Sequence, residues 1–159
     1  MSLPYVRAII KEIHRWAPIG SLGVPHATIK NDMYRGKFIP EGTVVFPNLT
    51  VLSRSPERYA DPDKFDPDRF LGDDLDASAS ALEPDYRKRD HFHYGFGRRL
   101  CQGIFVAESS LYIAVSRALW GMNIRPDPSA PPLDMDAKTG KYDLGCITCS
   151  KADPRQPAL

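Results

Sequence analysis

The chain is short of several things that would place it quickly. Cysteine is scarce: three residues in 159, at Cys101, Cys146 and Cys149. An odd count of three does not build the disulfide framework of a small secreted domain. No run of 18 apolar residues occurs, which excludes a membrane-spanning helix in this stretch. The first residues lack a charged region followed by an apolar block, so no secretory leader is expected here. Charge of one sign is lacking too. Twenty-one Lys and Arg stand against 20 Asp and Glu, a formal net charge of +1. That balance gives no footprint for nucleic acid or for an anionic membrane surface. No internal repeat is visible.

What is present suits a globular fold. The chain is 42% hydrophobic and 26% charged, and 159 residues suffice to bury a core. Fifteen prolines, concentrated in the middle and toward the C-terminus, predict turns and extended segments between few helices. Helix is predicted over the first 18 residues. Ser2 is a candidate N-cap, Pro4 suits the first turn, and Val6, Ile9, Ile10 and Ile13 form an apolar stripe. Pro18 ends it. Residues 20–52 read as short strands and turns. Lys37–Ile39 and Thr43–Phe46 are expected to pair as a hairpin across Pro40-Glu41-Gly42. Residues 53–90 read as a long loop with one helical turn near Pro56–Tyr59. A second long helix is expected over 103–121. Its stripe at 104, 107, 111, 115 and 118, widened by 105, 112 and 119, predicts burial over much of its circumference. Gly121 can end it. The rest, 122–159, reads as proline-rich tail and strand near Tyr142–Cys149. There Cys146 and Cys149 form a CxxC without a second pair, and are read as small residues of a core or an edge.

The segment HFHYGFGRRLCQG at 91–103 is where chemistry gathers. Gly95, Gly97 and Gly103 bracket Cys101. Glycine permits positive φ and lets backbone approach a flat partner. Cys101 sits at the mouth of the 103–121 helix, where the dipole favours a thiolate. Arg98 and Arg99 push the same way and can clamp carboxylates. An anionic sulfur facing a flat ligand, beside groups that hold acids, matches haem: an iron that takes thiolate, a planar macrocycle and two propionates. The bland alternative is a structural cysteine before a helix. A zinc site from His91, His93 and Cys101 is a third option.

These residues resemble a known family. YGFGRRLCQG is similar to the haem-binding signature FxxGxRxCxG of cytochrome P450, the haem-thiolate monooxygenases. Gly97, Arg99, Cys101 and Gly103 match it; Tyr94 stands where phenylalanine is usual and Gln102 where proline is frequent. Glu12-Ile13-His14-Arg15 resembles the family's ExxR, and Pro67-Asp68-Arg69-Phe70 its PERF.

The resemblance implies an α+β fold, the C-terminal portion of the P450 fold, incomplete as a domain. Its parts would be an ExxR helix (1–18), a small β segment (20–52), the PDRF and meander loop (53–90), the haem-cysteine loop (91–103), a long buried helix (103–121) and C-terminal strands with a tail (122–159). It implies haem b (iron protoporphyrin IX) with Cys101 as axial iron ligand and catalytic residue. Cofactor contacts would come from Tyr94, Gly95, Gly97, Arg99, Gly103 and His26, the last in GVPHAT and aimed at a propionate. It also implies a buried triad of Glu12, Arg15 and Arg69. From helical spacing alone, Glu12 and Arg15 lie away from the apolar stripe and read as a surface pair worth about 0.3 kcal/mol; the resemblance reverses that. His14 reads as packing and His91 as a weaker propionate candidate.

The activity implied is insertion of one atom of O₂ into a small organic substrate, with electrons from an NADPH-dependent flavoprotein reductase. Arg87, Lys88, Arg89 and Arg98 are either a solvated basic loop or the docking surface for that donor. The family's distal acid–alcohol motif is not found; Glu108-Ser109 lies on the helix after the cysteine. Only Ile19–Pro25 and the tail near Tyr142–Ile147 would touch substrate. Full-length eukaryotic members are usually anchored in the endoplasmic reticulum; this chain, without an anchor, is expected to be cytoplasmic. The alternative is a truncated, catalytically incompetent remnant with weak or no haem binding.

Overall fold

The structure, a computed structural model, describes residues 3–125. The tail from 126, with Cys146, Cys149 and the strand expected near Tyr142–Cys149, lies outside the described residues, as does Ser2.

Helix α1 spans Pro4–Trp16. Pro4 occupies the first turn, where its missing N–H costs nothing. The N-cap position falls on Leu3, without a side-chain cap, rather than on Ser2. At the other end the Ala17 N–H reaches Ile13 O at 2.9 Å before Pro18 turns the chain away. The buried face is rotated from the apolar stripe. Ile13 is 42% exposed, while Lys11, Glu12, His14 and Arg15 are buried with Val6, Ala8 and Ile10. Polar side chains can occupy that face because their bonds are satisfied there.

Four short strands follow: β1 (His26–Ala27), β2 (Asp32–Tyr34), β3 (Lys37–Ile39) and β4 (Val44–Val45). The pairing differs from the expected hairpin. β3 pairs antiparallel with β2, Met33 opposite Phe38, and β4 pairs antiparallel with β1, His26 opposite Val45. Arg35 and Gly36, at φ of 50° and 76°, make the tight left-handed turn that suits a two-residue hairpin. Gly42 does form a reverse turn, with Thr43 N on Pro40 O at 3.2 Å, but it leads the chain back to β1.

Two short helices were not foreseen. α2 (Leu49–Ser53) lies in the segment read as strands and turns; its β-branched residues mask the Asn48 cap, whose side chain accepts from Val51 N at 3.1 Å. α3 (Ala77–Leu82) lies in the segment read as loop; six Ala- and Ser-rich residues carry no hydrophobic period. Between them, Tyr59 N bonds Ser55 O at 3.0 Å, the expected helical turn, and Pro67–Phe70 forms a 3₁₀ turn. Ala8, Tyr59 and Phe70 share the core where that turn packs on α1.

Helix α4 spans Ile104–Gly121, close to the expected range. Its burial is a correction: among the described residues only Ile104 and Glu108 are buried on it, and Val106 and Trp120 are 71% and 92% exposed. Within the described chain α4 packs mainly on α1 and α3, so one narrow strip is covered.

Candidate haem-thiolate site

The site begins on α1. Glu12 is fully buried. Its carboxylate accepts from Arg15 Nε and from the second Arg15 nitrogen, both at 2.7 Å, a bidentate pair. It also accepts from Asp66 N at 2.7 Å and Arg69 Nε at 3.3 Å. The three side chains of the triad therefore meet on one carboxylate. Arg15 spends its remaining donors on the carbonyls of Ser53, Pro62 and Lys64, at 3.1, 2.7 and 3.0 Å. Arg69 donates to Ala60 O at 3.0 Å. The helix thus holds the irregular segment 53–69 by its backbone.

The cysteine loop rests on the same helix. His14 stacks on His93 with ring centroids 3.9 Å apart, and Tyr94 packs edge-on at 5.6 Å. Burial, then the neighbouring His91, lowers His14 to a pKa of about 4. Burial, then His14 and His91, lowers His93 to about 2. Both rings are neutral near pH 7. Tyr94 is pushed up to about 12 by burial, then by Glu108 and Cys101, and its hydroxyl has no partner among the described residues. Among the described residues no group of three or more His, Cys, Asp or Glu is placed to hold a metal, which removes the zinc alternative.

The loop then turns twice. Gly95 and Gly97 have φ of 89° and 55°, the left-handed region that favours glycine. The turns are closed by Gly95 N on Phe92 O at 3.0 Å and by Cys101 N on Tyr94 O at 2.8 Å. Gly103 differs from the expectation of positive φ. It is the N-cap of α4 at φ −84°, and a Cβ there would lie 3.8 Å from Cys101 Sγ. Its bareness keeps space beside the sulfur.

Cys101 is exposed, not a buried structural thiol. It lines a cleft of about 810 Å³ together with Tyr94, Gly95, Arg99 and His26. Ile19, Gly23, Val24 and Pro25 line the same cleft, so the β1 side and the cysteine loop face a common space. Gly97 and Gly103 do not line it. A thiol open to a cleft of ordinary ligand size, with a guanidinium and an imidazole on the walls, fits a flat, iron-bearing, dianionic group.

Glu108 was missed as a working residue. It is buried, and its two oxygens accept from Ala77 N at 2.5 Å and Ser78 N at 2.9 Å, the first amides of α3. Its signal was a lone acid in an apolar helix, which is costly to bury without partners.

A sequence model of the cytochrome P450 family matches residues 1–147. The chain belongs to the cytochrome P450 family. Among curated P450 relatives, cytochrome P450 monooxygenase polD of Polytolypa hystricis is 71% identical over 137 residues, 86% of this chain and 26% of that protein. Cytochrome P450 monooxygenase yanC of Aspergillus niger is 41% identical, covering 98% of this chain and 30% of its own length. The chain thus spans less than a third of the length of the curated relatives it matches. A zebrafish cytochrome P450 solved with abiraterone superposes with a TM-score of 0.71, over 94% of this chain and 31% of that one, at 24% identity. The shared P450 fold is therefore that of a partial α+β unit. Among the described residues no helix is long and apolar enough to cross a membrane.

Proposed function

We propose that this chain is the thiolate-side part of a P450 monooxygenase, which inserts one atom of O₂ into a small organic substrate. The observation that carries the reading is the exposed Cys101 sharing one cleft with Arg99 and His26. Cys101 would ligate the iron of haem b, and Arg99 and His26 would hold the propionates. Gly95 and Gly97 shape the loop, Gly103 leaves the sulfur unobstructed, and Tyr94 backs it. Once bound, the haem supplies oxygen activation, with the thiolate favouring O–O cleavage. Ile19, Val24 and Pro25 would meet substrate. Glu12, Arg15 and Arg69 hold the frame behind the loop.

Electrons would come from an NADPH-dependent flavoprotein reductase. Arg87, Lys88 and Arg98 are exposed and suit an acidic donor. Arg89 is half-buried and spent on Glu83 O at 2.6 Å, which leaves three cations of the four.

A second reading, an incompetent remnant, draws on the exposure of α4, which suits weak haem retention by the 159-residue chain alone. The test is a chimera in which this chain replaces the matching quarter of the 71% identical polD relative. The chimera should show the thiolate-type Soret band when reduced under carbon monoxide, and C101S should abolish it. An unchanged band in C101S would refute the ligand. The chain alone should fall short of that band; full stoichiometry with product formed would sink the remnant reading.

A further inference from the structure

A second buried charge cluster lies beside the triad, and the haem-site reading does not use it. Lys11 precedes Glu12 on α1 and is 1% exposed, an extreme burial for a lysine. Its ammonium is held by two hydrogen bonds and a further ion pair. It donates to the Asp73 carboxylate and to Leu75 O at 3.0 Å, and lies 3.0 Å from the Asp90 carboxylate as an ion pair. The same ammonium lies 5.2 Å from the centre of the Phe70 ring.

Asp90 is the link. One oxygen faces Lys11; the other accepts from Ser80 Oγ and from His91 Nδ1. Burial opposes its ionisation, but the His91 bond, Lys11 and Ser80 hold its carboxyl far below the usual range. His91 is 2% exposed and is in ring contact with Phe70, His14 and His93. Asp90 and His91 form the root of the loop that ends at Cys101. From Lys11 the cluster therefore reaches three separate segments: 73–75, α3 at Ser80 and the loop root. The triad holds the meander; among the described residues none of its side chains hydrogen-bonds or ion-pairs with residues 90–101.

We propose that Lys11, acting through Asp90 and His91, is the positioning residue for the cysteine loop. It fixes where the loop leaves the body of the protein, and so where Cys101 points. The α1 helix then serves two ends with adjacent residues: Glu12 and Arg15 for the meander, Lys11 for the loop root. This inference rests on the haem-thiolate reading for its purpose but not for its geometry.

The test separates the two. Amide hydrogen exchange is measured on the full chain without haem, in wild type, K11M, D90N and the milder S80A. The Cys101 and Gly95 amides, bonded to Tyr94 O and Phe92 O, report the loop; the amides of α1 report the body. Positioning predicts exchange about tenfold faster at the two loop amides in K11M and D90N, and a smaller rise in S80A, with α1 unchanged. The double variant should match the singles, because one chain of contacts is broken twice. Equal acceleration throughout α1, or loop amides unchanged in S80A and K11M, would overturn the proposal. In the haem-loaded chimera, K11M should lose thiolate-type Soret intensity while retaining total haem. If the chimera never gives that band but the loop amides respond, the haem reading fails and the positioning stands. If the band forms and the loop amides do not respond, only the positioning fails.

Discussion

Replacing Glu12 with glutamine changes one oxygen to an amide and keeps the volume. The geometry says why this should still be severe. One carboxylate oxygen accepts three donors, from Arg15, Asp66 N and Arg69; the other accepts Arg15 Nε. Whichever way the amide turns, its NH₂ faces at least one donor. Worse, the two guanidiniums lose the negative charge they share at a fully buried position. Breaking a buried pair in this way costs about 3–5 kcal/mol. Domains of this size have about 5–15 kcal/mol in total. With a urea slope of about 1–3 kcal/mol/M, the unfolding midpoint should drop by at least about 1 M. Circular dichroism against urea measures it, with the exposed Glu41→Gln as control. Adding Arg69→Met to Glu12→Gln should cost less than the sum of the singles, since one removes the other's purpose. A loss below about 1 kcal/mol in Glu12→Gln, or strict additivity, would refute the view that this carboxylate organises the segment.

Acid should destabilise the fold through His14. Its folded pKa of about 4 lies below the ordinary 6.5, so its contribution is complete above pH 6.5 and is lost as pH falls toward 4. That span is worth about 3 kcal/mol, and His14→Gln should make the stability–pH profile shallower between those limits, leaving the slope that His93 contributes. Glu108→Ala should lower stability by about 1–3 kcal/mol, read by thermal melting, because two amides at the start of α3 lose their acceptor. Gly23→Ala should be costly and Gly103→Ala mild for folding. At Gly23 φ is +57° and a Cβ would meet Pro47 Cγ at 2.6 Å, whereas at Gly103 the nearest contact is 3.8 Å. Urea midpoints of the two variants compare them directly.

The helices were legible where period and punctuation agreed. Pro4, Pro18, Gly103 and Gly121 bounded α1 and α4 to within two residues. The cysteine loop was legible because its glycines and arginines stand at short, fixed spacing. The strand pairing was not. Two turns, at Arg35-Gly36 and Glu41-Gly42, lie seven residues or fewer apart, and strands of two or three residues carry no alternation to choose between them. Helical burial was misread in opposite senses. On α1 the periodicity alone pointed outward Glu12 and Arg15, which the family resemblance placed inside and hydrogen bonding holds there. On α4 it pointed inward the residues that the described chain leaves in water. Lys11 gave no signal at all, since a lysine beside a glutamate on a helix is ordinary until three acceptors surround it.

Arg15 holds Ser53, Pro62 and Lys64 by their carbonyls, and Arg69 holds Ala60 in the same manner. A guanidinium that grips main chain is indifferent to the side chains hung on it. The path of the segment is thereby specified by one arginine on α1 and one at its own end, while its letters at the gripped positions are left free. The segment behaves as upholstery over a frame: its pattern can change from one relative to the next, provided that the four carbonyls come back to the same pegs.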